Sequence, residues 1–379
     1  MNNMEFLVAR ARIVRAIRAF FDAKGFVEVE TAVRIPAPAP EEHIDCPPCR
    51  DGGYLRASPE LQMKKLLAAG MDRIYQIGPC FREGERGSRH NPEFTMIEWY
   101  RRDATYLDIR HDLEELMGTL ANGALSGACP QSGGWPVPGD IQGLCGACPQ
   151  GARILSVREA YLRYAGWDPW AGWDQDRFDF DMATKIEPAI KALGGGVFLS
   201  DYPPQAASLA KISSKREETI NFEGEPWGLS PDNSGVCPQR IAGSVPSGAL
   251  RDGRARDGRQ ETGNAPTPKH PNVQTPKHPN TQTPKLSDIP YAERWEFYWD
   301  GMELANCFTE LCDAAEQRAR FIAAKANRQA LGESDYPLDE DFLASLPRIG
   351  SAAGVALGID RLVMALTGAT EIASVRAPL

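Results

Sequence analysis

The sequence predicts an α+β fold in which helices flank an antiparallel β-sheet. Three observations support this prediction: most predicted strands are short, they alternate apolar and polar residues, and consecutive strands follow one another as hairpins do. Strands of a buried parallel sheet are instead near-continuous apolar runs. A chain of Rossmann-type βαβ units is therefore not expected.

The composition is that of a globular domain. The chain has 379 residues, 42% hydrophobic and 25% charged, which is enough apolar material for a core. A net charge of −9 argues against a large nucleic-acid surface, because such a surface needs clustered lysine and arginine. No apolar run approaches the ~20 residues that span a bilayer, and residues 1–18 lack the apolar segment of a secretory signal. We expect a single cytoplasmic domain over residues 1–379, with no membrane association.

The first third of the chain alternates helices and short strands. Residues 4–24 carry apolar side chains at three- and four-residue steps, and Gly25 follows where a helix C-cap belongs, so this segment is predicted to be an amphipathic helix. The next predicted elements are a half-buried strand over 26–31, a proline-rich loop over 36–53, a short strand over 55–58, a helix from Pro59 to Leu67 and a strand over 73–77.

Residues 93–100 form the clearest predicted strand. Phe94, Met96, Glu98 and Tyr100 share one face of it, and Trp99 lies on the other. We expect Phe94, Met96 and Trp99 to belong to the sheet core. Later predicted elements are helices over 106–120, 157–165 and 311–331, strands near Val197, near Leu209 and over 293–309, and a strand around Gly354 that runs into a helix at Leu362.

Two segments differ in composition and are predicted to be insertions. Residues 122–151 are rich in Gly, Pro and Cys and contain Gly-Ala-Cys-Pro-Gln twice. Residues 221–290 have few large apolar side chains, and the unit Thr-Pro-Lys-His-Pro-Asn-x-Gln begins at Thr267, Thr275 and, for a third time, Thr283. Such a segment cannot bury enough apolar surface to offset the entropy of ordering, so we expect disorder or polyproline II.

The cysteines leave two interpretations open. Cys46/Cys49 and Cys145/Cys148 are two Cys-x-x-Cys pairs, and together they supply the four thiolates of a structural zinc site. The stiff Pro47-Pro48 interior and the long separation of the pairs favour reduced, inert thiols instead.

Two distant stretches point to chemistry on phosphates. Residues 81–100 and 354–361 each place an arginine, Arg82 and Arg361, where a strand meets a loop or a helix, and the first stretch adds carboxylates. Arginine is always charged and can give two parallel hydrogen bonds to phosphate oxygens. The pair fits a protein that holds a bent nucleoside triphosphate while its α-phosphate is attacked.

The two stretches resemble motifs 2 and 3 of the class II aminoacyl-tRNA synthetases. This resemblance implies a class II antiparallel sheet and the formation of an aminoacyl-adenylate from ATP. It implies that Arg82 contacts the α-phosphate and Arg361 the γ-phosphate, and that Glu303 holds Mg²⁺ between phosphates, as a hard cation takes oxygen ligands. Gly358 would let nucleotide atoms pass closely over the backbone.

The resemblance is narrower than the superfamily. His90-Asn91-Pro92-Glu93-Phe94-Thr95-Met96-Ile97-Glu98-Trp99-Tyr100 is similar to the lysyl-tRNA synthetase branch, and most to the elongation factor P–(R)-β-lysine ligase family. Further similar blocks are residues 58–64, 205–210 and 303–311, and the match covers about residues 4–121, 152–215 and 291–375. Members of this family are implied to activate a lysine isomer with ATP and Mg²⁺ and to place it on a lysine of elongation factor P.

The resemblance also implies site residues. Substrate contacts would fall on Ser58, Pro59, Glu60, Tyr100, Glu310 and Ala356, and nucleotide contacts on Arg82, Glu83, Gly84, Glu85, Asn91, Glu303, Leu304, Gly358 and Arg361. Glu60 and Glu310 suit the two ammonium groups of a diamino acid. Ala356 stands where lysyl-tRNA synthetases tend to have glycine, and its extra methyl favours (R)-β-lysine over lysine by a pocket difference of ~1–3 kcal/mol.

Four positions depart from the family pattern. Arg82-Glu83-Gly84 replaces Arg-Asn-Glu, so the carboxylate beside the purine is expected from either Glu83 or Glu85. Glycine is expected at Cys307. Proline is expected at Ala32, a position associated with the dimer interface, so the implied homodimer stays an open expectation.

Two other functions fit the sequence less well. A lysyl-tRNA synthetase would carry an anticodon-binding barrel before the catalytic domain, whereas the first predicted helix begins at residue 4 and the net charge is acidic, so tRNA is not the expected partner. A non-catalytic synthetase-like regulatory protein often loses its phosphate-binding arginines, whereas Arg82, Arg361 and Glu303 are all present.

Overall fold

A nine-stranded mixed sheet organises the described part of the chain. The computed structural model describes residues 3–122, 152–214 and 289–377, which all belong to one compact unit. The predicted insertions over 122–151 and 221–290 lie almost wholly outside the described residues. The strands are β1 (Val27–Glu28), β2 (Arg34–Ile35), β3 (Tyr54–Leu55), β4 (Arg73–Phe81), β5 (Glu93–Arg102), β6 (Arg153–Ser156), β7 (Gly196–Tyr202), β8 (Ile212–Ser213), β9 (Tyr291–Trp299), β10 (Met302–Thr309) and β11 (Ala352–Gly358).

The strand order confirms the predicted antiparallel sheet and adds two parallel edges. The order is β1-β4-β5-β11-β10-β9-β7-β6, with β8 also paired to β9, and β2 and β3 form a separate two-stranded sheet. All pairs within the central part are antiparallel, but β1 pairs with β4 and β6 with β7 in parallel. The β6–β7 connection carries helices, so one βαβ crossover, which the alternation of the central strands did not predict, lies at the edge of the sheet.

Nine α-helices within the described residues pack on the sheet. They are α1 (Asn3–Ala23), α2 (Glu60–Ala68), α3 (Tyr106–Asn122), α4 (Val157–Ala160), α5 (Gln175–Asp181), α6 (Glu187–Leu193), α7 (Ala314–Leu331), α8 (Glu340–Ser345) and α9 (Ile359–Thr367). In the described part of the chain, none of the helices has the length and apolar character that crossing a membrane demands.

One face of the sheet is closed by α1, α3 and α9. Ile13, Ile17 and Phe21 of α1 are fully buried in the same cluster as Trp99 and Trp295 of the sheet. The spacing of the three α1 residues is the period that predicted this helix, which is confirmed from Asn3 to Ala23. This apolar face makes the sheet a rigid support for whatever lies on its other side.

The opposite face is covered only at its two ends. Tyr100 belongs to a cluster with α2 and α8, whereas its neighbour Trp99 faces α1, so the alternation of β5 divides the two faces. At the other end of the sheet, Val197 and Leu199 of β7 pack against α4 to α6 while Phe198 faces the opposite side. The middle of this face, between the two clusters, stays open.

Some predicted elements differ from the observed ones. The single strand predicted over 293–309 is a hairpin of β9 and β10, because Asp300 and Gly301 adopt φ values of +46° and +73°, as the two central residues of a type I′ turn do. Leu209 lies outside any strand: a single antiparallel bridge joins Ala210 to Glu310, and the short strand nearby is Ile212–Ser213. The strand predicted over 26–31 shortens to Val27–Glu28, both exposed.

The strands β8 and β9 hold the two ends of one undescribed segment. Ser213 pairs with Tyr291 and Ile212 with Ala292 in antiparallel register. The described residues on the two sides of positions 215–288 therefore belong to paired neighbouring strands.

The cysteine pairs are described only in part. Burial raises the pKa of the Cys46 thiol to about 11, which keeps it protonated near neutral pH. Cys145 and Cys148 lie outside the described residues, so the predicted choice between zinc ligands and reduced thiols stays a prediction.

Candidate active site

The open middle of the sheet forms the floor of a cavity of about 410 Å³. Its walls bring together residues that are more than three hundred positions apart in the chain, from Glu41 to Ile372. Of the sequence-predicted site residues, those that line it are Ser58, Glu60, Arg82, Glu85, Asn91, Tyr100, Glu303, Leu304, Ala356, Gly358 and Arg361. Pro59, Glu83, Gly84 and Glu310 do not line it, although Glu310 is buried close by, and Pro59 supports the site as the N-cap of α2.

A row of side chains crosses the floor on four neighbouring strands. Glu98 of β5 is opposite Ala356 of β11, Ala356 is opposite Asn306 of β10, and Asn306 is opposite Glu296 of β9. All four line the cavity. Directly opposite residues on one face lie ~5 Å apart, so the row fixes two carboxylates at a set separation across the floor.

One end of the cavity is rich in arginine. Arg361 donates from Nη1 to the carbonyl oxygen of Glu303 at 3.0 Å, and the same atom lies 3.5 Å from the Glu303 carboxylate. Its Nη2 lies 2.6 Å from Nε2 of His90. Burial and the nearby Arg361 lower the pKa of His90, so at neutral pH its ring nitrogen can accept this hydrogen bond.

Arg82 is placed beside an aromatic ring and a carboxylate. Its guanidinium carbon lies 5.2 Å from the centre of the Phe94 ring, and its Nη1 lies 3.4 Å from Glu85. Among the described residues, Arg82 Nε is buried and has no hydrogen-bond acceptor. A buried N–H without a partner is costly, so an acceptor supplied by a ligand would stabilise this arrangement.

The two candidate carboxylates of the motif 2 loop separate in space. Glu85 lines the cavity and pairs with Arg82, whereas Glu83 is exposed and engages Asp45 through its backbone N–H at 2.8 Å. The geometry therefore favours Glu85 over Glu83 as the carboxylate that can face a ligand.

Two acidic residues stand near the arginines. Burial and the proximity of Glu296 raise the pKa of Glu303 above its ordinary value, against the opposite influence of Arg361 and Arg82. Within the ranges the structure describes, no group of three His, Cys, Asp or Glu residues is arranged to hold a metal. Mg²⁺ in nucleotide sites is typically held by one or two carboxylates and completes its shell with phosphate oxygens and water. The pair Glu296 and Glu303 fits that requirement.

The other end of the cavity is acidic and is built around a buried lysine. Lys64 forms ion pairs with Glu60 at 2.5 Å and with Glu310, and its side chain is 1% exposed. Burial acts to lower the pKa of Lys64, but Glu310 and Glu60 more than offset this and raise it. Glu60 and Glu310, predicted as partners of a substrate's two ammonium groups, therefore already share a cation of the protein itself.

Among the residues that the structure describes, Glu98 has no ion-pair partner, unlike Glu60 and Glu310 at the same end. Its oxygens accept hydrogen bonds from the hydroxyls of Ser58 at 2.6 Å and Tyr100 at 2.7 Å. Burial and the nearby Glu60 raise the pKa of Glu98 to about 7, although the two hydrogen bonds act to lower it. A ligand ammonium would satisfy this buried charge.

Glycine is required at Gly354 by close packing. A Cβ at this position would lie 2.2 Å from the ring of Tyr100 on the neighbouring strand. At Gly358, by contrast, a Cβ would meet nothing nearer than Arg361 at 3.9 Å, so the space above this glycine is open to the cavity. Ala356 lies between the two on the floor.

Sequence reasoning missed several lining or supporting residues. Glu98 was placed on the correct face of β5 but given no role, and Phe94 and Met96, predicted as core, line the cavity. Lys64 could have been found from its i,i+4 spacing to Glu60 in a predicted helix. Other lining residues that were missed include Glu41, Ile44, Arg294, Glu296 and Asn306.

The charges that line the cavity suit a ligand with one anionic end and one cationic end. Arg82, Arg361 and Arg294 line one part of the cavity, and Glu60 and Glu98 line another. A ligand with phosphates at one end and an amine at the other would find opposite charges at both ends, with an apolar rear face of the sheet keeping the groups fixed.

Comparison with known proteins agrees with this geometry. Residues 1–377 match the family of tRNA synthetases class II (D, K and N). Three curated relatives are each named elongation factor P--(R)-beta-lysine ligase: that of Proteus mirabilis is 31% identical over 97% of this chain and 93% of its own length, that of Photorhabdus laumondii 30% over 98% and 94%, and that of Vibrio cholerae 29% over 98% and 94%. The chain belongs to the class II tRNA synthetase family (D, K and N), in the branch that contains the elongation factor P–(R)-β-lysine ligases.

Proposed function

We propose that this protein is an ATP-dependent ligase that activates (R)-β-lysine or lysine as an aminoacyl-adenylate. It then transfers the amino acid to a lysine side chain of elongation factor P. The observation that carries the proposal is that arginines line one part of this cavity and the Glu98 carboxylate lines another. The names of the three relatives support the choice of amino acid and acceptor.

The arginine end suits the first half-reaction. The substrate carboxylate, already ionised at neutral pH, attacks the α-phosphorus of ATP, an acyl–phosphate bond forms and pyrophosphate leaves. Two anions must approach, so fixed positive charge and alignment matter more than proton transfer. Arg82 would neutralise the α-phosphate, which also supplies the acceptor that its Nε lacks among the described residues, and Arg361 the γ-phosphate.

Asn91, Leu304, Gly358 and Glu85 would complete the nucleotide site. Gly358 leaves open space on the floor, and Glu85 can accept from the purine amino group while it orients Arg82. Glu296 and Glu303 would hold Mg²⁺ with the phosphates. Such an ion would screen the phosphate charge and fix the bent conformation.

The acidic end suits a diamino acid. Glu98, with Ser58 and Tyr100 donating to it, offers its charge to one ammonium group. Glu60 lines the same wall, and its partner Lys64 limits the net negative charge, so that the site does not gather three unpaired carboxylates. Ala356 narrows the cavity floor between the two ends. In this region the amine of a β-amino acid and the amine of an α-amino acid would lie at different positions.

The second half-reaction needs an amine acceptor. The neutral ε-amine of the acceptor lysine attacks the acyl carbon, an amide bond forms, AMP leaves with the bonding electron pair, and the amine's proton passes to solvent. The attack places negative charge on the former carbonyl oxygen and positive charge on the amine nitrogen until the proton and AMP leave, and the arginines that stabilised the adenylate would also stabilise the leaving AMP.

The test is pyrophosphate exchange with α-lysine and with (R)-β-lysine, followed by acceptor assays with elongation factor P and with tRNA. We expect exchange with at least one isomer and label on elongation factor P only. Exchange with neither isomer would favour a non-catalytic regulatory protein. Label on tRNA would favour a lysyl-tRNA synthetase-like enzyme.

A further inference from the structure

A short loop segment supplies the wall of the cavity between its two ends. Residues 41–46, in the proline-rich loop after β2, place Glu41 and Ile44 at the cavity surface. They follow no regular hydrogen-bonding pattern of helix or strand. A loop of this kind needs support from elsewhere to hold a side chain in one position.

That support comes from the far end of the chain. Arg328, near the C-terminus of α7, is buried, and its Nη1 donates to the carbonyl oxygens of Glu41 at 2.6 Å and Ile44 at 3.2 Å. Its Nη2 donates to the carboxylate of Asp45 at 2.6 Å. Its Nε and Nη2 also donate to the carbonyl oxygen of Ser334 at 3.0 and 2.9 Å.

The same loop reaches the strand end that carries Arg82. The carbonyl oxygen of Asp45 accepts from the backbone N–H of Glu83 at 2.8 Å, one residue beyond Arg82. Tyr336 reinforces the loop, because its hydroxyl donates to the Asp45 carboxylate at 3.1 Å and accepts from the N–H of Cys46 at 2.8 Å. Burial acts to raise the pKa of Asp45, but the hydrogen bond from Arg328 helps to keep it below its ordinary value, so the pair stays charged at neutral pH.

We propose that Arg328 is a positioning residue for this active site: it fixes the 41–46 loop so that Glu41 walls the cavity and the backbone beside Arg82 is held in place. This goes beyond the proposed function, on which its kinetic consequences rest. Arg328 does not itself line the cavity: it contacts the backbone carbonyl oxygens of Glu41 and Ile44, the carbonyl oxygen of Ser334, the Asp45 carboxylate and the Tyr336 ring at 4.5 Å.

The guanidinium is suited to this role in a way that lysine is not. It presents a planar fork of N–H groups that can bind several carbonyl oxygens at once, whereas a lysine ammonium is a compact charge with three donors. Loss of the fork leaves the partly buried carbonyl oxygens of residues 41 and 44 without their donor, which favours rearrangement of the loop. A displacement of about 1 Å in a site of this kind can cost on the order of a hundredfold in rate.

The experiment compares Arg328→Lys and Arg328→Gln with Phe321→Leu. Phe321 lies on the same helix α7, is buried against Phe342, and does not contact the 41–46 loop. Its substitution should therefore lower the stability of the protein while it leaves the contacts between Arg328 and the loop intact. Hydrogen–deuterium exchange is followed in peptides that cover residues 41–46 and the amide of Glu83. KM and kcat are measured by pyrophosphate exchange on the folded fraction.

We expect faster deuterium exchange at Cys46 and Glu83 in both Arg328 variants, by about tenfold or more, and a KM for the amino acid raised by about tenfold, which equals ~1.4 kcal/mol. Phe321→Leu should lower the melting temperature but leave the exchange of these amides and the KM unchanged. Arg328 variants that behave as Phe321→Leu does would overturn the proposal, since Arg328 would then serve stability alone.

The proposed function and the positioning role of Arg328 can be disproved independently. If the wild-type protein exchanges pyrophosphate with no lysine isomer, the proposed function fails, but the deuterium measurement still tests whether Arg328 holds the loop. If the wild type is active and the loop amides of the Arg328 variants stay protected, the positioning role fails alone.

Discussion

The ring of Tyr100 occupies the space that a side chain on Gly354 would need. The two residues are directly opposite on β5 and β11, and a Cβ at position 354 would lie 2.2 Å from two carbons of the ring. From this position the Tyr100 hydroxyl donates to Glu98 at 2.7 Å. The absence of a side chain at Gly354 therefore allows the Tyr100 hydroxyl to reach Glu98.

Gly354→Ala should displace Tyr100 and impair the acidic end of the cavity. Overpacking of a buried site costs ~1–3 kcal/mol, so we expect a lower free energy of unfolding and a KM for the amino acid raised by about tenfold or more. Urea denaturation and pyrophosphate exchange measure the two effects. Gly118→Ala in α3 is the control, because a Cβ there meets nothing within 4 Å and alanine favours a helix by up to ~1 kcal/mol. Equal effects of the two substitutions would contradict the steric argument.

The affinity for a diamino acid should rise with pH. The pKa of Glu98 is raised to about 7, so this carboxyl is mostly protonated at pH 6 and ionised at pH 8, while the ε-ammonium of lysine stays charged throughout. The KM for the amino acid should therefore fall by about tenfold per pH unit below that pKa and level off above it. Glu98→Gln should raise the KM at pH 8 and remove the dependence. A wild-type KM that is constant from pH 6 to 9 would rule out Glu98 as the titrating group.

Lys64→Met should destabilise the protein at neutral and alkaline pH. The substitution leaves Glu60 and Glu310 close together without their shared cation, and removing one partner of a buried ion pair costs ~3–5 kcal/mol. Burial and the nearby Glu60 already raise the pKa of Glu310 above its ordinary value, and loss of Lys64, which acts to lower it, raises it further in the folded state. That raised pKa gives stability present at low pH and lost as pH increases through the folded-state pKa. The deficit relative to wild type, measured by urea denaturation, should thus be smaller at pH 5 than at pH 8. Equal deficits at both pH values would argue against a charge effect.

Loss of either arginine at the phosphate end should slow activation. Arg82→Ala and Arg361→Ala should each reduce pyrophosphate exchange by roughly 100-fold or more, the scale for losing a partner of transition-state charge. Arg318→Ala is a control, since Arg318 forms an exposed ion pair with Glu340 away from the cavity. Near-normal exchange in both cavity variants would remove the roles proposed for them.

The periodic parts of the fold were predictable because each has a local cause. The apolar spacing over 4–24 determined α1, and the alternation over 93–100 placed Glu98 and Tyr100 on one face. Asp300-Gly301 is a turn signal between β9 and β10. The hairpin was missed because the aromatic alternation of residues 295–299 outweighed this dipeptide. Short helices such as α5, α6 and α8 have six or seven residues, too few for a clear period.

The contacts of the candidate site were predictable only where a motif contained them. Lys64 and Glu60 share one helix, so their pairing had a local signal, but Glu310 joins them from the end of β10. Arg328 and Glu41 are 287 positions apart, and nothing near either residue indicates the other. Such contacts depend on how the sheet and α7 pack, which single-residue patterns do not encode.

The pairing of Ser213 with Tyr291 has a practical consequence for engineering this chain. Because these paired strands hold both ends of the intervening chain, we expect the two ends to stay side by side when the intervening sequence is changed. Doubling the length of such a connection changes its closure entropy by only ~0.6 kcal/mol. This junction is accordingly a natural graft point, where a reporter or affinity module can be exchanged for the native stretch without shifting the register of the catalytic sheet.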